Sequence, residues 1–203
     1  NTLGKQPGQL PTLKFDHLYR LSDSTGIFQH ASFTVPNFAE GYCTDDNARA
    51  LLLTLMLQES GHSNTRINEL SATYAAFLNH AFNRESLRFR NFMSFDRRWL
   101  EDIGSEDCHG QALWALGFCV GKVGNGSFHL LAAELFEKAL PVALNFTSPR
   151  AWALTLIGID KYLKRLSGDR RAHQIRESLT AKLMQRYADA SGEDWYWFED
   201  MLS

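Results

Sequence analysis

Helical periodicity governs most of the chain, and two kinds of helical segment alternate along it. Apolar residues form a stripe on one side in segments 64–82, 128–145 and 169–189, whereas segments 45–59 and 107–121 are apolar on most faces. A helix that is apolar on every face is buried on every face. The alternation therefore predicts an inner row of buried helices that is covered by an outer row of half-buried ones.

This pattern predicts an all-α fold, an (α/α) toroid built from antiparallel helix hairpins. Segment 13–22 predicts a short first helix, and 149–165 a further helix that begins after Ser148. Only the run 87–92 suggests a small hairpin strand within a loop. We expect residues 1–203 to form a single toroid-type domain of about three and a half hairpins, fewer than a closed ring needs. We therefore expect the chain to be a fragment of a longer protein, or to form a homo-oligomer in which a second chain completes the ring.

Composition excludes several classes of function. The length of 203 residues suits one domain, and a net charge of −2 with scattered Lys and Arg argues against nucleic acid as a partner. No apolar run approaches the length of a membrane span, and no signal peptide is visible, so a cytoplasmic protein without a membrane partner is expected. The cysteines Cys43, Cys108 and Cys119 are widely spaced and the histidines are dispersed, which predicts neither a metal site nor a cofactor.

Acidic motifs stand where two of the predicted inner helices begin. GYCTDDNARAL starts at Gly41 and EDIGSEDCHGQAL at Glu101, and each places a hydroxyl residue and two acids before an apolar run. Helix capping explains part of this, since Thr44 and Ser105 are of the residue types preferred as N-caps and acids favour the first turn. The long loops 23–43 and 83–106 lead into the motifs, and long loops in compact domains are usually functional. In a toroid, both motifs would face one cleft. Their acids are Asp45, Asp46, Glu101, Asp102, Glu106 and Asp107.

Three motifs carry a resemblance to a known family. GYCTDDNARAL, WLEDIGSEDCHGQALWALG and WYWFEDML are similar to the helical toroid domain fused to, or encoded beside, bacterial group-1 glycosyltransferases. That family is distantly similar to six-hairpin glycosidases, and the likeness runs from Phe15 to Leu202. In relatives, WFED is followed by another Asp-Asn-Ala-Arg element and further helices, whereas this sequence stops at Ser203. The resemblance implies a helical ring with a carbohydrate cleft.

The acids and the resemblance together favour glycoside hydrolysis, which needs one carboxylic acid and one carboxylate. We expect an endoglucanase-like enzyme that acts on a glucan or mannan. By analogy with toroid glycosidases, it is expected to invert the configuration at the anomeric carbon. A carboxylate at a helix N-terminus is favoured in its charged form, so Asp45 or Asp46 is the expected base. The expected acid is Glu101, Asp102 or Glu106, because a general acid needs the raised pKa that an apolar or aromatic pocket supplies.

Further residues in the same loops are predicted to contact the sugar. Aromatic faces stack on pyranose rings, and Arg49, one turn after Asp45, is expected to pair with Asp45 or Asp46. The alternative for the aromatic residues is a place in the core, and for His109 a hydrogen-bonded structural role. The predicted substrate-binding residues are Tyr42, Asn47, Trp99, His109, Trp195, Trp197, Glu199 and Asp200.

Two other functions stay open from the sequence. One is a non-catalytic carbohydrate-binding or accessory domain that serves a glycosyltransferase. The other is a sugar epimerase, which by analogy would need paired histidines across the cleft, for which only His109 and His30 are candidates. A reducing-sugar assay separates the hydrolase from the accessory domain.

Overall fold

The structure is a computed structural model that describes residues 11–122 and 128–192. It is mostly helical, so the chain belongs to the all-α class that the periodicity predicts. A 3₁₀ helix at Leu140–Asn145 follows the fifth α-helix. None of the helices in these ranges has the length and apolar character that crossing a membrane requires. The helices are α1 Asp16–Arg20, α2 Thr44–Glu59, α3 Thr65–Ala81, α4 Glu106–Gly121, α5 His129–Ala139, α6 Pro149–Leu163 and α7 Arg170–Ala190.

Short strands of two residues each lie in and beside the long loops. They pair antiparallel as β1 with β2, β3 with β6 and β4 with β5. The β3–β6 pair places Tyr42 opposite Met93, and so joins the two long loops directly before α2 begins. The strands are β1 Ala31–Ser32, β2 Val35–Pro36, β3 Tyr42–Cys43, β4 Phe82–Asn83, β5 Arg88–Phe89 and β6 Phe92–Met93.

The helices pack in two rows. α4 lies between α2 and α6, and each of these three also packs against the helix that follows it, which is α3, α5 or α7. Nearly every residue of α4 from Cys108 to Val120 is buried, whereas α7 buries only Ala172, Ile175 and Leu179. The predicted contrast between buried and half-buried helices is confirmed for α4 and α7. α2, which the sequence predicts to be buried on every face, leaves Leu53 and Met56 each 43% exposed.

Glycines allow α4 and α6 to approach backbone to backbone. A Cβ on Gly117 would lie 2.1 Å from the carbonyl oxygen of Gly158, and one on Gly110 would lie 3.1 Å from that of Ala151. Both pairs have the same sequence separation, so the two helices run parallel. Their N-termini therefore lie at the same end of the molecule.

α2 is parallel to α4 as well. At one end, the Thr44 hydroxyl donates a hydrogen bond of 2.6 Å to the carbonyl oxygen of Arg90, and Cys108 Sγ lies 3.8 Å from the same oxygen. At the other end, Lys122 Nζ donates to Gln58 Oε1. The N-termini of α2, α4 and α6 thus form a row at one end, beneath the two long loops.

Two of the three predicted N-caps are confirmed. Ser105 Oγ accepts a hydrogen bond from the backbone nitrogen of Cys108 at 3.0 Å, and Ser148 Oγ accepts from that of Ala151 at 3.2 Å. The prediction that Thr44 caps α2 is wrong, because its hydroxyl donates to the Arg90 carbonyl. The first backbone N–H groups of α2, those of Thr44 and Asp45, donate to Asn91 Oδ1 at 3.1 and 3.4 Å. The cross-loop contact has replaced the local one.

The predicted helix 128–145 is shorter than expected. α5 ends at Ala139, and the chain continues as the 3₁₀ helix that contains Pro141. Proline has no backbone N–H and clashes with the preceding turn of an α-helix, so it ends α5 in the way its position suggests.

Candidate functional site

Most of the predicted acids gather at the end where the three inner helices start. Asp45 and Asp46 lie in the first turn of α2, and Glu106 and Asp107 in the first turn of α4. The loop 83–106 passes over the same end, because its backbone pairs with β3 and contacts Thr44. The structure therefore brings the two acidic motifs to the same end of the molecule.

Asp45 and Asp46 share one cation. Their carboxylate oxygens lie 2.9 and 3.0 Å from Nη2 of Arg49, which confirms the predicted pairing. The side chains of Asp45 and Asp46 are 29% and 30% exposed. Both groups are thus held in place and still reach solvent.

Cys43 completes a small cluster with these acids. Its Sγ donates to Asp46 Oδ2 at 2.8 Å, and ligand atoms of Cys43, Asp45 and Asp46 lie within 4.8 Å of one another. Burial, and then the two neighbouring carboxylates, raise the pKa of the Cys43 thiol far above its usual range. A metal ion bound here would have to displace the thiol proton of Cys43 and the guanidinium of Arg49. With both in place, the cluster is a hydrogen-bonded network.

Glu101 and Asp102 occupy different environments. Glu101 Oε1 accepts hydrogen bonds from the backbone nitrogens of Asn91 and Phe92, at 2.8 and 3.3 Å, and so holds the loop against β6. The Asp102 side chain is 91% exposed, and its Oδ1 lies 3.9 Å from Arg90 Nε. Asp102 also lines a polar cleft of about 440 Å³ beside the β4–β5 hairpin.

Glu106 and Asp107 connect α4 to α6. Glu106 Oε2 accepts hydrogen bonds from the backbone nitrogens of Thr147 and Ser148, at 2.8 and 2.7 Å. Asp107 Oδ1 accepts from the Ser148 hydroxyl at 2.7 Å, and its Oδ2 lies 3.4 Å from Arg150 Nη1. These acids bridge the starts of two helices.

Tyr42 and Asn47 are buried and hold the loop 23–43 in place. The Tyr42 hydroxyl donates to Asp23 Oδ2 at 2.7 Å, and burial together with that carboxylate raises the pKa of Tyr42 to about 12. Asn47 Oδ1 accepts from the backbone nitrogen of Ile27 at 3.0 Å, and its Nδ2 donates to the Cys43 carbonyl at 2.8 Å. Their polar atoms are engaged with protein.

His109 lies in the core. It is fully buried, its Nε2 donates to the Ala139 carbonyl at 3.1 Å, and its ring packs edge-on against Phe89 and Phe146. Burial lowers the pKa of His109 to about 3, so the ring is neutral. This corresponds to the hydrogen-bonded structural role named as the alternative above.

Trp99 is half-buried at the edge of the acidic end. Its ring packs edge-on against Phe77, with 5.7 Å between ring centroids, and at a tilt against His80, with 5.3 Å between centroids. Its Nε1 is enclosed without a hydrogen-bond partner among the described residues. The predicted residues Trp195, Trp197, Glu199 and Asp200 lie outside the described residues.

A cluster of phenylalanines beside the acids was missed by the sequence reasoning. Phe28, Phe38 and Phe95 come from both long loops and pack on one another. Phe28 also lines a cleft of about 300 Å³ together with Asp46 and Arg49. The available signal was the density of phenylalanine in the two long loops, 23–43 and 83–106, each of which contains three.

The fold and the site define an all-α protein with a row of parallel helix N-termini, partly exposed carboxylates and loop aromatics at one end. No family model, no curated protein and no solved structure matches the chain.

Proposed function

We propose that the chain is a glycoside hydrolase that acts on a polysaccharide or oligosaccharide of the glucan or mannan type. The observation that supports this is the parallel packing of α2, α4 and α6, which brings carboxylates from two separate motifs to one end. Glycoside hydrolysis needs a pair of carboxyl groups on opposite sides of a sugar. The sugar would lie across this end, between the two long loops.

The contacts narrow the choice of acid and base. Asp46 and Asp45 are the proposed bases, because their carboxylates reach solvent and Arg49 fixes their orientation. Asp102 is the proposed acid, because its side chain extends from the loop towards solvent. At 91% exposure it lacks the apolar pocket expected from the sequence, so bound substrate would have to enclose it. Glu101, Glu106 and Asp107 are assigned to positioning, since oxygens of each already accept hydrogen bonds from the protein.

We further propose that the two rows of helices are an arc of an (α/α) toroid. Both edges of the inner row carry exposed apolar side chains, Leu53 and Met56 on α2 and Ile157 on α6. A large contiguous apolar surface usually marks an interface, and these side chains would contribute to one. Further helices of a longer chain, or a second copy, would cover these edges and enclose the cleft.

The hydrolase proposal is tested with D46N and D102N, each measured for release of reducing ends from soluble glucans and mannans. Removing a general acid or base typically costs about 10²–10⁴-fold in rate, so both variants should lose at least about 100-fold. D160N is the matched control, because Asp160 is an exposed acid in the C-terminal half of α6. Near wild-type turnover in both site variants would overturn the assignment.

A non-catalytic carbohydrate-binding or accessory domain is the second candidate. This function is favoured because most of the site acids already accept hydrogen bonds from the protein or form ion pairs within it. Binding of a polysaccharide without new reducing ends would select this function over the hydrolase. The epimerase ranks last, because His109 is enclosed in the core and His30 is exposed in a loop.

A further inference from the structure

We propose that the polar cleft beside the β4–β5 hairpin is an oxyanion site, in which Arg90 binds the carboxylate or phosphate group of a small anionic ligand. The site does not depend on the proposed hydrolase function, because an anion binds here whether or not a glycosidic bond is cleaved. It adds a charged ligand class that the acidic motifs do not predict.

Arg90 is a mostly buried cation whose hydrogen-bond donors are unused. Its side chain is only 22% exposed. Among the described residues, none accepts a hydrogen bond from its guanidinium, and its ion-pair partner Asp102 lies 3.9 Å away. That distance exceeds the roughly 2.7–3.2 Å of a hydrogen bond. Because burying a charge is costly unless it is paired and hydrogen-bonded, this guanidinium lacks an acceptor.

The other two arginines of the hairpin use their donors within the protein. Arg88 Nη2 donates to the Gly104 carbonyl at 2.7 Å. Arg84 Nη1 donates to Glu134 Oε1 at 3.4 Å, across the surface of the molecule. Arg90 is thus the arginine of this hairpin whose guanidinium has donors left for a ligand.

Several contacts hold Arg90 in place at the cleft. Its backbone nitrogen donates to the Ala81 carbonyl at 3.0 Å, and its carbonyl oxygen accepts from the Thr44 hydroxyl at 2.6 Å. Its guanidinium carbon lies 5.8 Å from the centroid of the Trp99 ring. A side chain that is positioned in advance loses less conformational freedom on binding, which favours affinity.

The cleft has room for a small ligand, and its wall contains a second unsatisfied polar group. Its volume of about 440 Å³ is within the range of about 300–1,000 Å³ that small-molecule sites occupy. The Ser86 hydroxyl is enclosed in the wall without a hydrogen-bond partner among the described residues. Such buried polar groups are rare in native proteins and usually indicate a bound water, ion or ligand.

The wall of the cleft is fixed by Asn83. Its Oδ1 accepts a hydrogen bond of 3.4 Å from the backbone nitrogen of Ser86, and its Nδ2 donates to the Asp102 carbonyl at 3.2 Å. The turn of the hairpin and the loop opposite are therefore tied together around the cleft.

The charge of the hairpin favours an anion. Residues 82–90 contain three arginines and one glutamate, a net charge of +2, in a chain whose net charge is −2. The guanidinium fork matches the oxygens of a carboxylate or phosphate, and bidentate pairs of this kind are among the strong hydrogen bonds. An oxyanion would give Arg90 the acceptors that the described part of the protein does not provide.

The acids at the cleft restrict the occupant. Glu85 and Asp102 line the cleft and are both exposed. At 91% exposure, Asp102 is hydrated and pairs only weakly with Arg90. A nucleic acid or an anionic membrane would meet these carboxylates and needs clustered cations, whereas the hairpin offers one unused arginine. The occupant is therefore one anionic group on a small molecule.

The test records proton–nitrogen correlation spectra of the isotope-labelled chain during titration with inorganic phosphate, glucose 6-phosphate or glucuronate, at constant pH and ionic strength. Glucose is the uncharged match. Charge-assisted hydrogen bonds are about twice as strong as neutral ones, so R90Q should weaken anion binding at least about tenfold. R90K keeps the charge without the fork and should bind with intermediate affinity. R186Q is the matched control, because Arg186 is exposed on α7.

Saturable shifts of the Arg90 Nε–H resonance with an anion and not with glucose, weakened in R90Q and unchanged in R186Q, support the site. That resonance is assigned by its absence from R90Q and R90K. Binding of glucuronate alone assigns a carboxylate ligand, and binding of the phosphates alone assigns a phosphate. Tighter binding of glucose 6-phosphate than of inorganic phosphate identifies the sugar-borne group, and the reverse identifies free phosphate.

The site is overturned by the absence of saturable shifts with every anion, or by equal affinity in wild type and R90Q. Equal weakening in R186Q also overturns it, because affinity would then follow net charge. Should R90Q fail to fold, wild-type affinity in R90K overturns the site. D102N separates the two proposals: anion binding that persists while reducing-end release is lost supports both, and anion binding with unchanged release supports the oxyanion site and counts against Asp102 as the acid.

Discussion

Glu106 Oε2 lies 2.7 Å from the backbone nitrogen of Ser148. Glu106 stands in the first turn of α4, and Ser148 caps α6, so the contact holds the starts of two parallel helices together. The same oxygen accepts from the backbone nitrogen of Thr147. A residue whose sequence context predicts catalysis therefore contributes to packing of the inner row.

Replacing Glu106 should destabilise the protein more than an exposed acid does. E106A removes the acceptor of two backbone N–H groups, and an unsatisfied donor costs about 1–3 kcal/mol, so we expect a loss of that order in the free energy of unfolding. E106Q keeps a carbonyl acceptor and should lose less. Denaturant unfolding measures both, with the exposed Glu177→Ala as control. If E106A unfolds at the same denaturant concentration as E177A, the bridge contributes nothing.

Gly117 should be intolerant of any side chain. Its Cβ would lie 2.1 Å from the Gly158 carbonyl oxygen, which belongs to a backbone that cannot move aside cheaply. Overpacking in a core costs about 1–3 kcal/mol, so G117A should lower the melting temperature clearly. Gly168 has open space around its Cβ position, so G168A is the control. Equal melting temperatures for the two variants would show that α4 and α6 are further apart than described.

The fold was largely predictable because burial leaves a strong periodic pattern. The run from Cys108 to Val120 is apolar on most faces and is buried on most faces. Ser105 and Ser148 marked helix starts through local hydrogen bonds that depend on neighbouring residues. Thr44 was misassigned as a cap, since its partner Arg90 is distant in sequence. Hydrogen bonds between sequence neighbours could be inferred from the sequence, whereas a hydrogen bond to a residue in a distant loop could not.

The site was less predictable because the same residue types serve structure and chemistry. Tyr42 and Asn47 follow the motif pattern, yet they bind loop residues 20 or so positions away, contacts that no periodicity encodes. His109 looks polar in the sequence and is enclosed by two aromatic rings. The pairing of Asp45 and Asp46 with Arg49 was foreseeable because it lies within one helical turn.

Asn47 should control the order of the loop 23–43. Its side chain bonds to Ile27 and Cys43, and it is completely buried, so N47A should leave unsatisfied backbone groups at a cost of about 1–3 kcal/mol each. Limited proteolysis with chymotrypsin should then cleave at Phe33 or Phe38 faster than in wild type. Asn145→Ala is the control, because Asn145 is exposed at the end of the 3₁₀ helix. Identical cleavage rates in the two variants would argue against this role.

His109 should make stability depend on pH. Its pKa in the folded state is about 3, below the value of 6.5 for an exposed histidine. The unfolded chain therefore binds a proton that the folded chain does not, at every pH between these two values. Stability is full above about pH 6.5 and falls progressively as the pH drops towards 3.

The expected loss from this one group between pH 7 and pH 5 is about 2 kcal/mol, since each pKa unit corresponds to about 1.4 kcal/mol. H109Q removes the titration and keeps a side-chain donor for the Ala139 carbonyl, so it should be less stable at pH 7 and show a shallower decline towards pH 5. H17Q, at an exposed histidine, should keep the wild-type slope. Denaturant unfolding at pH 5, 6 and 7 measures the three slopes, and parallel curves for wild type and H109Q would mean that His109 is accessible to protons in the folded protein.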